Sequence, residues 1–413
     1  MDRFTPTASS MRAWVVYDLA NTIFALGVIG LYFPAWMAEN DIADSRLALV
    51  EALAGVTVIF AAPWIGARTD HSGRRLPSLA WTTGIAVAMT LVLDLGSQAL
   101  TFLALAIALI GFNTGSVVYD ALLPDVSTDE TRGWISGLGV GVGYLGSFIG
   151  LGLGVLTLDI LEWGYAATFR VLGVGFLIFA IPTFLLVRER PRSPRPGPPP
   201  SARSLVTEVA EAWRRAARYP DAFQFLIGRF LYTDAINTLI GGFLTIFVIE
   251  ELGMSVAESR NLLGGAILAA MLGGLGGGRL AQRHGPLRTL RWMLVGWMVA
   301  IGFGVGAALT GSLALAWMIA PLGGFALGGT WAADRVVMLR VSPPRHLGEF
   351  YGLYAMVGRF ATILGPLIWA ITVDLLHLGR PVAMAALGVF VLAGWLRLAR
   401  VDDRPRAWSA DES

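Results

Sequence analysis

Cysteine is absent from all 413 residues. Disulfides, thiolate nucleophiles and cysteine-ligated metals are therefore excluded, and no redox compartment can be read. Lysine is absent as well, so all 31 basic residues are arginines. Without the phosphate-gripping lysine of a Walker-type loop, the chain does not read as an ATPase. Histidine is scarce, and His71, His284, His346 and His377 all fall at expected helix ends or in loops, so neither a metal site nor a histidine proton relay is expected. Charge is scarce too: 15% of residues are charged against 55% hydrophobic, with a mean hydropathy of +0.64. That balance is far from a soluble domain and reads as an integral membrane protein. No cofactor, metal or nucleic-acid partner is expected.

Apolar stretches of about 20 residues, the length that crosses a bilayer, can be counted between turn and charge punctuation. They run roughly over 12–37, 46–67, 77–96, 99–122, 134–157, 166–187, 222–250, 259–281, 287–309, 312–340, 349–376 and 381–400. The first has no short apolar core followed by a small-residue cleavage site, so it is expected to remain as a membrane helix. Between the sixth and seventh lies PRSPRPGPPP (residues 191–200), an extended linker, and then an expected amphipathic helix over 201–218. The expected organisation is a six-helix bundle (1–190), a cytoplasmic connector (191–220) and a second bundle with its tail (221–413).

Arginine placement sets the expected orientation. With the N-terminus inside, the outer loops hold only Arg46, Arg260 and Arg380, while the inner ones hold Arg74, Arg75, Arg132, the linker cluster, Arg283, Arg288, Arg345 and the tail. Both termini are then cytoplasmic in a multi-pass cell-membrane protein.

The two halves share a motif. Tyr17-Asp18-Leu19-Ala20-Asn21-Thr22 has its Asp-x-x-Asn-Thr spacing repeated 216 residues later in Tyr232-Thr233-Asp234-Ala235-Ile236-Asn237-Thr238. On a helix these three polar residues share one face, so each copy is a polar stripe on an apolar rod. Further echoes keep a nearly constant offset. Gly66-x-x-x-Asp70-x-x-Gly73 matches Gly278-x-x-x-Gln282-x-x-Gly285, and Gly137, Gly143 and Gly150 match Gly352, Gly358 and Gly365. The pattern reads as a duplicated six-helix unit, an arrangement that places a binding site near the midplane.

The loop Gly66-Ala-Arg-Thr-Asp70-His-Ser-Gly73-Arg74-Arg75 resembles the signature loop between helices 2 and 3 of the major facilitator superfamily, and the resemblance extends over the whole chain. Tyr17-Asp18-Leu-Ala-Asn21-Thr22, Leu122-Leu123-Pro124, Gly143-Tyr144-Leu145-Gly146, Phe230-Leu231-Tyr232-x-Asp234 and Gly348-Glu349-Phe350-Tyr351-Gly352 resemble the branch of the autophagy-related vacuolar amino-acid effluxers and their bacterial relatives. The resemblance implies an all-α fold of twelve transmembrane helices in two pseudo-symmetric bundles, with helices 1, 4, 7 and 10 lining a central cavity; the chain is expected to act as a monomer. It implies that the signature loop latches the cytoplasmic side; a merely topogenic basic loop is the plainer reading. Drug exporters of the superfamily carry a Gly-Pro pair in helix 5, whereas here Gly365-Pro366 falls in helix 11.

A carboxylate at mid-bilayer costs roughly 2.5–3.5 kcal/mol, yet Asp18, Asp120, Asp234 and Asp334 all lie in expected helices. Substrate or proton binding is expected at Asp18, Asn21, Asp234, Asn237 and Arg359, with Tyr17, Tyr232 and Trp331 as aromatic lining; helix-to-helix polar glue is the competing reading. Arg359 suits a carboxylate and the aspartates an amine. At an offset of 215 Asp120 falls on Arg335, and together with Asp334 these are expected to form a gating set; a contact of Arg335 within its own half is the alternative. Arg229 and Arg170, nearer helix ends, are expected to snorkel. The glycines of helices 5 and 8 suit either a sliding contact or tight packing.

The expected function is secondary active transport of a small polar or zwitterionic solute by alternating access, with protons as a candidate coupling ion and lipids as surroundings. Export of amphipathic cations or lysolipids is the nearest alternative. An intramembrane aspartyl protease is a rival because of Tyr17-Asp18 and Tyr119-Asp120, but the Gly-x-Gly-Asp motif of such enzymes is missing.

Overall fold

The computed structural model describes residues 6–128, 131–190, 207, 211, 213–343 and 347–404. The proline-rich linker, most of the expected 201–218 helix, and the side chains of Asp70 and Arg359 lie outside what is described. Helix dominates, and no strand occurs among the described residues. In order come α1 (Ala8–Glu39), α2 (Asp44–Ser72), α3 (Leu76–Leu91), α4 (Gln98–Ala121), α5 (Arg132–Gly154) and α6 (Tyr165–Leu186). After the linker follow α7 (Pro220–Glu251), α8 (Val256–His284), α9 (Pro286–Thr310), α10 (Ile319–Val341), α11 (Leu347–Phe360), α12 (Leu364–Leu375) and α13 (Arg380–Leu398).

Among the described residues 9 helices are long and apolar enough to cross a membrane, and α3 and α12 are shorter apolar helices. The span expected over 349–376 is therefore not one rod but two, α11 and α12. Helix starts follow local chemistry. Ser97 accepts the Leu100 N–H at the head of α4, Ser255 and Glu258 form a reciprocal capping box on α8, and Pro77 and Pro286 open α3 and α9, where a missing N–H costs nothing.

The chain divides into two compact units: Met1–Asn40 with Leu53–Leu205, and Asp41–Ala52 with Val206–Ser413. The start of α2 thus groups with the second unit. In the first, α1 packs on α5 and α6, and α3 on α4 and α6; in the second, α10 packs on α8 and α9, and α7 on α13. Small residues make the closest approaches. A Cβ at Gly146 would overlap the Leu19 carbonyl of α1, and one at Gly328 the Ala270 carbonyl of α8. Gly146 of α5 and Gly328 of α10 serve tight packing inside each unit.

Candidate functional site

The second copy of the Asp-x-x-Asn-Thr motif, on α7, faces the gap between α11 and α12. Pro366 has no N–H to give to the carbonyl four residues back, and its ring crowds that carbonyl, which favours a break at this point. Residues 361–363 leave the helix, and their backbone groups need partners in an apolar setting. Asp234 and Asn237 supply them. The Ile363 N–H donates to Asp234 Oδ1 at 3.1 Å, and the Gly365 N–H donates to Oδ2. Asn237 Nδ2 donates to the Ala361 carbonyl at 2.7 Å and the Gly358 carbonyl at 3.4 Å, while Thr238 Oγ1 donates to Asp234 O at 2.7 Å. A Cβ at Gly365 would overlap Thr238 Oγ1, so the approach requires glycine. Asp234 therefore caps the start of α12 and Asn237 caps the end of α11.

The first copy meets an unbroken partner. On α1, Thr22 Oγ1 donates to the Gly143 carbonyl of α5 and to Leu19 O. Since α5 is continuous through this level, it has no freed N–H to offer. Asp18 points at the bare backbone of Gly139 and Gly143, where a Cβ at Gly143 would lie 3.1 Å from Oδ2. No hydrogen bond reaches its carboxylate among the described residues, and Asp120 of α4 acts on it as a like charge. Asp120 itself is exposed, and Asn21 is buried.

Of the three aromatics expected as lining, Tyr17 and Tyr232 are packed inside their own units. Tyr17 is buried, shares a hydrogen bond with Thr83 Oγ1 and stacks on Tyr119 with centroids 4.9 Å apart. Tyr119 in turn stacks on Trp14 and exchanges two hydrogen bonds with it, Trp14 Nε1 to Tyr119 O and Tyr119 Oη to Trp14 O. Tyr232 is fully buried in the second unit. Trp331 is half-buried on α10.

Arg229 corrects the snorkelling expectation. Its guanidinium is buried and lies 3.5 Å from Asp334 Oδ2, because a carboxylate of the same unit neutralises it and it need not reach water. It also stacks over the Tyr354 ring at 3.7 Å and donates to Thr233 Oγ1, while Tyr354 Oη donates to Asp334 Oδ1 at 2.9 Å. Asp334 is thus a fully buried anchor among α7, α10 and α11, whereas its neighbour Arg335 is exposed. The sequence signal for the Arg229 partnership was present only as two charges in two apolar segments.

Two further acids escaped the sequence reading. Asp44, buried at the start of α2, accepts from Arg380 Nε and Nη2 at 3.0 Å each and from Trp369 Nε1 at 2.8 Å, with Glu250 3.7 Å from the same guanidinium. Glu51 lies against Gly241, where α7 departs from helical geometry at Gly242 (φ +119°). Both acids sit near the end of an apolar run, where a carboxylate reads as a boundary marker. In the signature loop, Gly73 adopts φ +68°, a left-handed turn that suits glycine. Arg75 donates to the Ala121 carbonyl and lies 4.0 Å from Asp125, and its own N–H donates to Glu189. The loop is thus tied to α4 and to the end of α6, while Arg74 is exposed.

Residues 41–407 match the family described as vacuole effluxer Atg22 like. The chain is 26% identical over 415 residues to YxiO of Bacillus subtilis (strain 168), described as an uncharacterized MFS-type transporter, covering 95% of this chain and 94% of that protein. It is 28% identical over 279 residues to autophagy-related protein 22 of Yarrowia lipolytica, covering 59% of this chain and 46% of that protein. Among solved structures it resembles a bacterial homologue of the human lysosomal transporter Spinster, inward-facing and occupied, with a TM-score of 0.68 at 19% identity over 97% of both chains. It also resembles the nucleoside transporter NupG, with a TM-score of 0.69 at 12% identity over 96% of this chain and 100% of that one. The fold is that of the major facilitator superfamily, and the chain belongs to the Atg22-like family as a membrane transporter of this type.

Proposed function

We propose that this protein moves a small polar or zwitterionic solute, amino-acid-like in its charges, by alternating access, and that Asp18 is the acid that meets the cargo amine or a coupling proton. One contrast carries the reading: the Asp234 carboxylate is consumed by two backbone N–H groups, while among the described residues the matching Asp18 carboxylate has no hydrogen-bond donor. An apolar helix that keeps a carboxylate without a structural partner keeps it for chemistry. Arg359 on α11 is proposed to receive the cargo carboxylate, and Asp120 with Arg335 to act as a charge pair of the inner gate. The names of the relatives, a vacuole effluxer and an MFS-type transporter, support solute export or uptake as the task. A cell-membrane location with both termini in the cytoplasm belongs to the same reading.

The test is a thermal-shift screen of purified protein against amino acids, amines, lysolipids and drugs at two pH values, followed by flux in proteoliposomes with the best ligand. An amino acid should stabilise the native chain, and Asp18→Asn should remove both that stabilisation and pH-dependent flux. Unchanged flux in Asp18→Asn would overturn the assignment. The Asp18 and Asp120 like charges also favour a second reading, an amphipathic cation as cargo; stabilisation by apolar amines alone would select it.

A further inference from the structure

On α2 of the first unit, Leu53, Val56, Phe60 and Trp64 recur every three or four residues and are each at least 44% exposed. They form one apolar stripe on the helix surface. Arg68 follows one turn beyond Trp64, its guanidinium 5.4 Å from that ring. There the stripe runs into a groove of about 490 Å³ lined by Trp64, Arg68, Ser72, Arg74, Ser78 and Trp81, among other residues. Among the described residues the lining holds two guanidiniums and no carboxylate. Arg74 is held toward it by a closed turn in which its N–H donates to Ser72 Oγ and Ser72 Oγ donates back to Arg74 O. Across the groove, Trp81 on α3 is 72% exposed.

We infer that this groove is a binding site for one anionic phospholipid, whose phosphodiester sits between Arg68 and Arg74 and whose acyl chain runs along the Leu53–Trp64 stripe. Three features select a lipid over a free anion. The stripe from residue 53 to 64 is about 16 Å long at 1.5 Å per residue, close to half of a ~30 Å hydrocarbon core. Tryptophan rings belong at the headgroup level, where Trp64 and Trp81 flank the basic end. Two like charges converging on one concavity repel each other until an anion enters, and basic pockets at helix ends are where acidic headgroups bind.

Purified protein in neutral detergent would be titrated with phosphatidylglycerol, phosphatidylcholine and glycerol 3-phosphate, with retained ligand counted by native mass spectrometry. Phosphatidylglycerol should bind saturably, with weaker retention of phosphatidylcholine and none of glycerol 3-phosphate. Each guanidinium near a membrane surface contributes about fivefold, so Arg68→Gln with Arg74→Gln should weaken phosphatidylglycerol binding roughly 30-fold. Arg288→Gln, a basic residue of the other unit, should leave that binding unchanged. Trp81→Ala removes only an exposed ring, so it tests the groove even where the double variant folds poorly; it should weaken lipid retention with the melting temperature intact. Native-like phosphatidylglycerol binding in both the double variant and Trp81→Ala, equal retention of phosphatidylcholine, or glycerol 3-phosphate binding as tightly as the lipid would each overturn the proposal.

Discussion

Asp18 and Asp234 occupy the same place in a repeated motif and are expected to respond in opposite directions to the same change. Asp234→Asn replaces one acceptor oxygen by an NH2 that faces backbone N–H groups, so it should cost about 1.5–3 kcal/mol of stability, read as a lower melting temperature in detergent. Asp18→Asn removes a charge that has no donor among the described residues and a like-charged neighbour, so it should leave the melting temperature equal or higher while flux is lost. A fall in stability for both, of similar size, would show that Asp18 is structural too. At the buried ion pair, Arg229→Met strands Asp334 and should cost about 3–5 kcal/mol. Adding Asp334→Leu should recover most of that loss, since an apolar pair of similar volume needs no neutralisation. Failure of the double variant to recover would mean that the Tyr354 and Thr233 contacts, rather than the charges, hold this cluster.

At the level of elements, the break between α11 and α12 is the feature that assigns α7 its polar face. A rod that contains Gly365-Pro366 must lose a backbone bond in the hydrocarbon region, and the motif on α7 replaces it. Asn237→Ala should therefore expose the end of α11: amide exchange at residues 361–365 should rise at least tenfold, with the interior of α7 unchanged. Exchange spread evenly along both helices would contradict a local capping role. The α8–α10 contact makes a second test possible. A Cβ at Gly277 would lie 2.6 Å from the Gly329 Cα, so Gly277→Leu forces the helices apart and should destabilise by about 1–3 kcal/mol or more.

On the scale of the molecule, the chain passes between its compact units three times, twice more than the linker alone requires. The segment Asp41–Ala52 belongs by its contacts with the second unit, where Asp44 meets Trp369 and Arg380, and the Ser45 N–H donates to Asp374. Asp44→Ala in the full chain should lower the melting temperature and loosen that unit, since Trp369 Nε1 and Arg380 lose a buried acceptor. A fragment starting at residue 206 should be less stable than the same unit in the full chain. Equal melting of Asp44→Ala and the native protein would make this contact incidental.

Composition alone decided that this chain lives in a membrane, because an apolar excess with so little charge leaves no soluble surface to build. The duplicated motif and signature loop were likewise legible, and with them the family and its helical fold, since spacing on a helix survives in one dimension. The division of labour between the two copies was not. It depends on which partner helix is broken, and Pro366 announces a break without saying which side chains will meet the freed N–H groups. Arg229 looked like a residue near a helix end until packing brought Asp334 to 3.5 Å. Tyr17 and Tyr232 read from sequence as candidate lining, and the fold places both rings in buried packing. Sequence determines which polar groups enter the apolar phase; tertiary structure decides which of them are neutralised there, because hydrogen bonds and ion pairs act over a few ångströms between residues far apart in the chain.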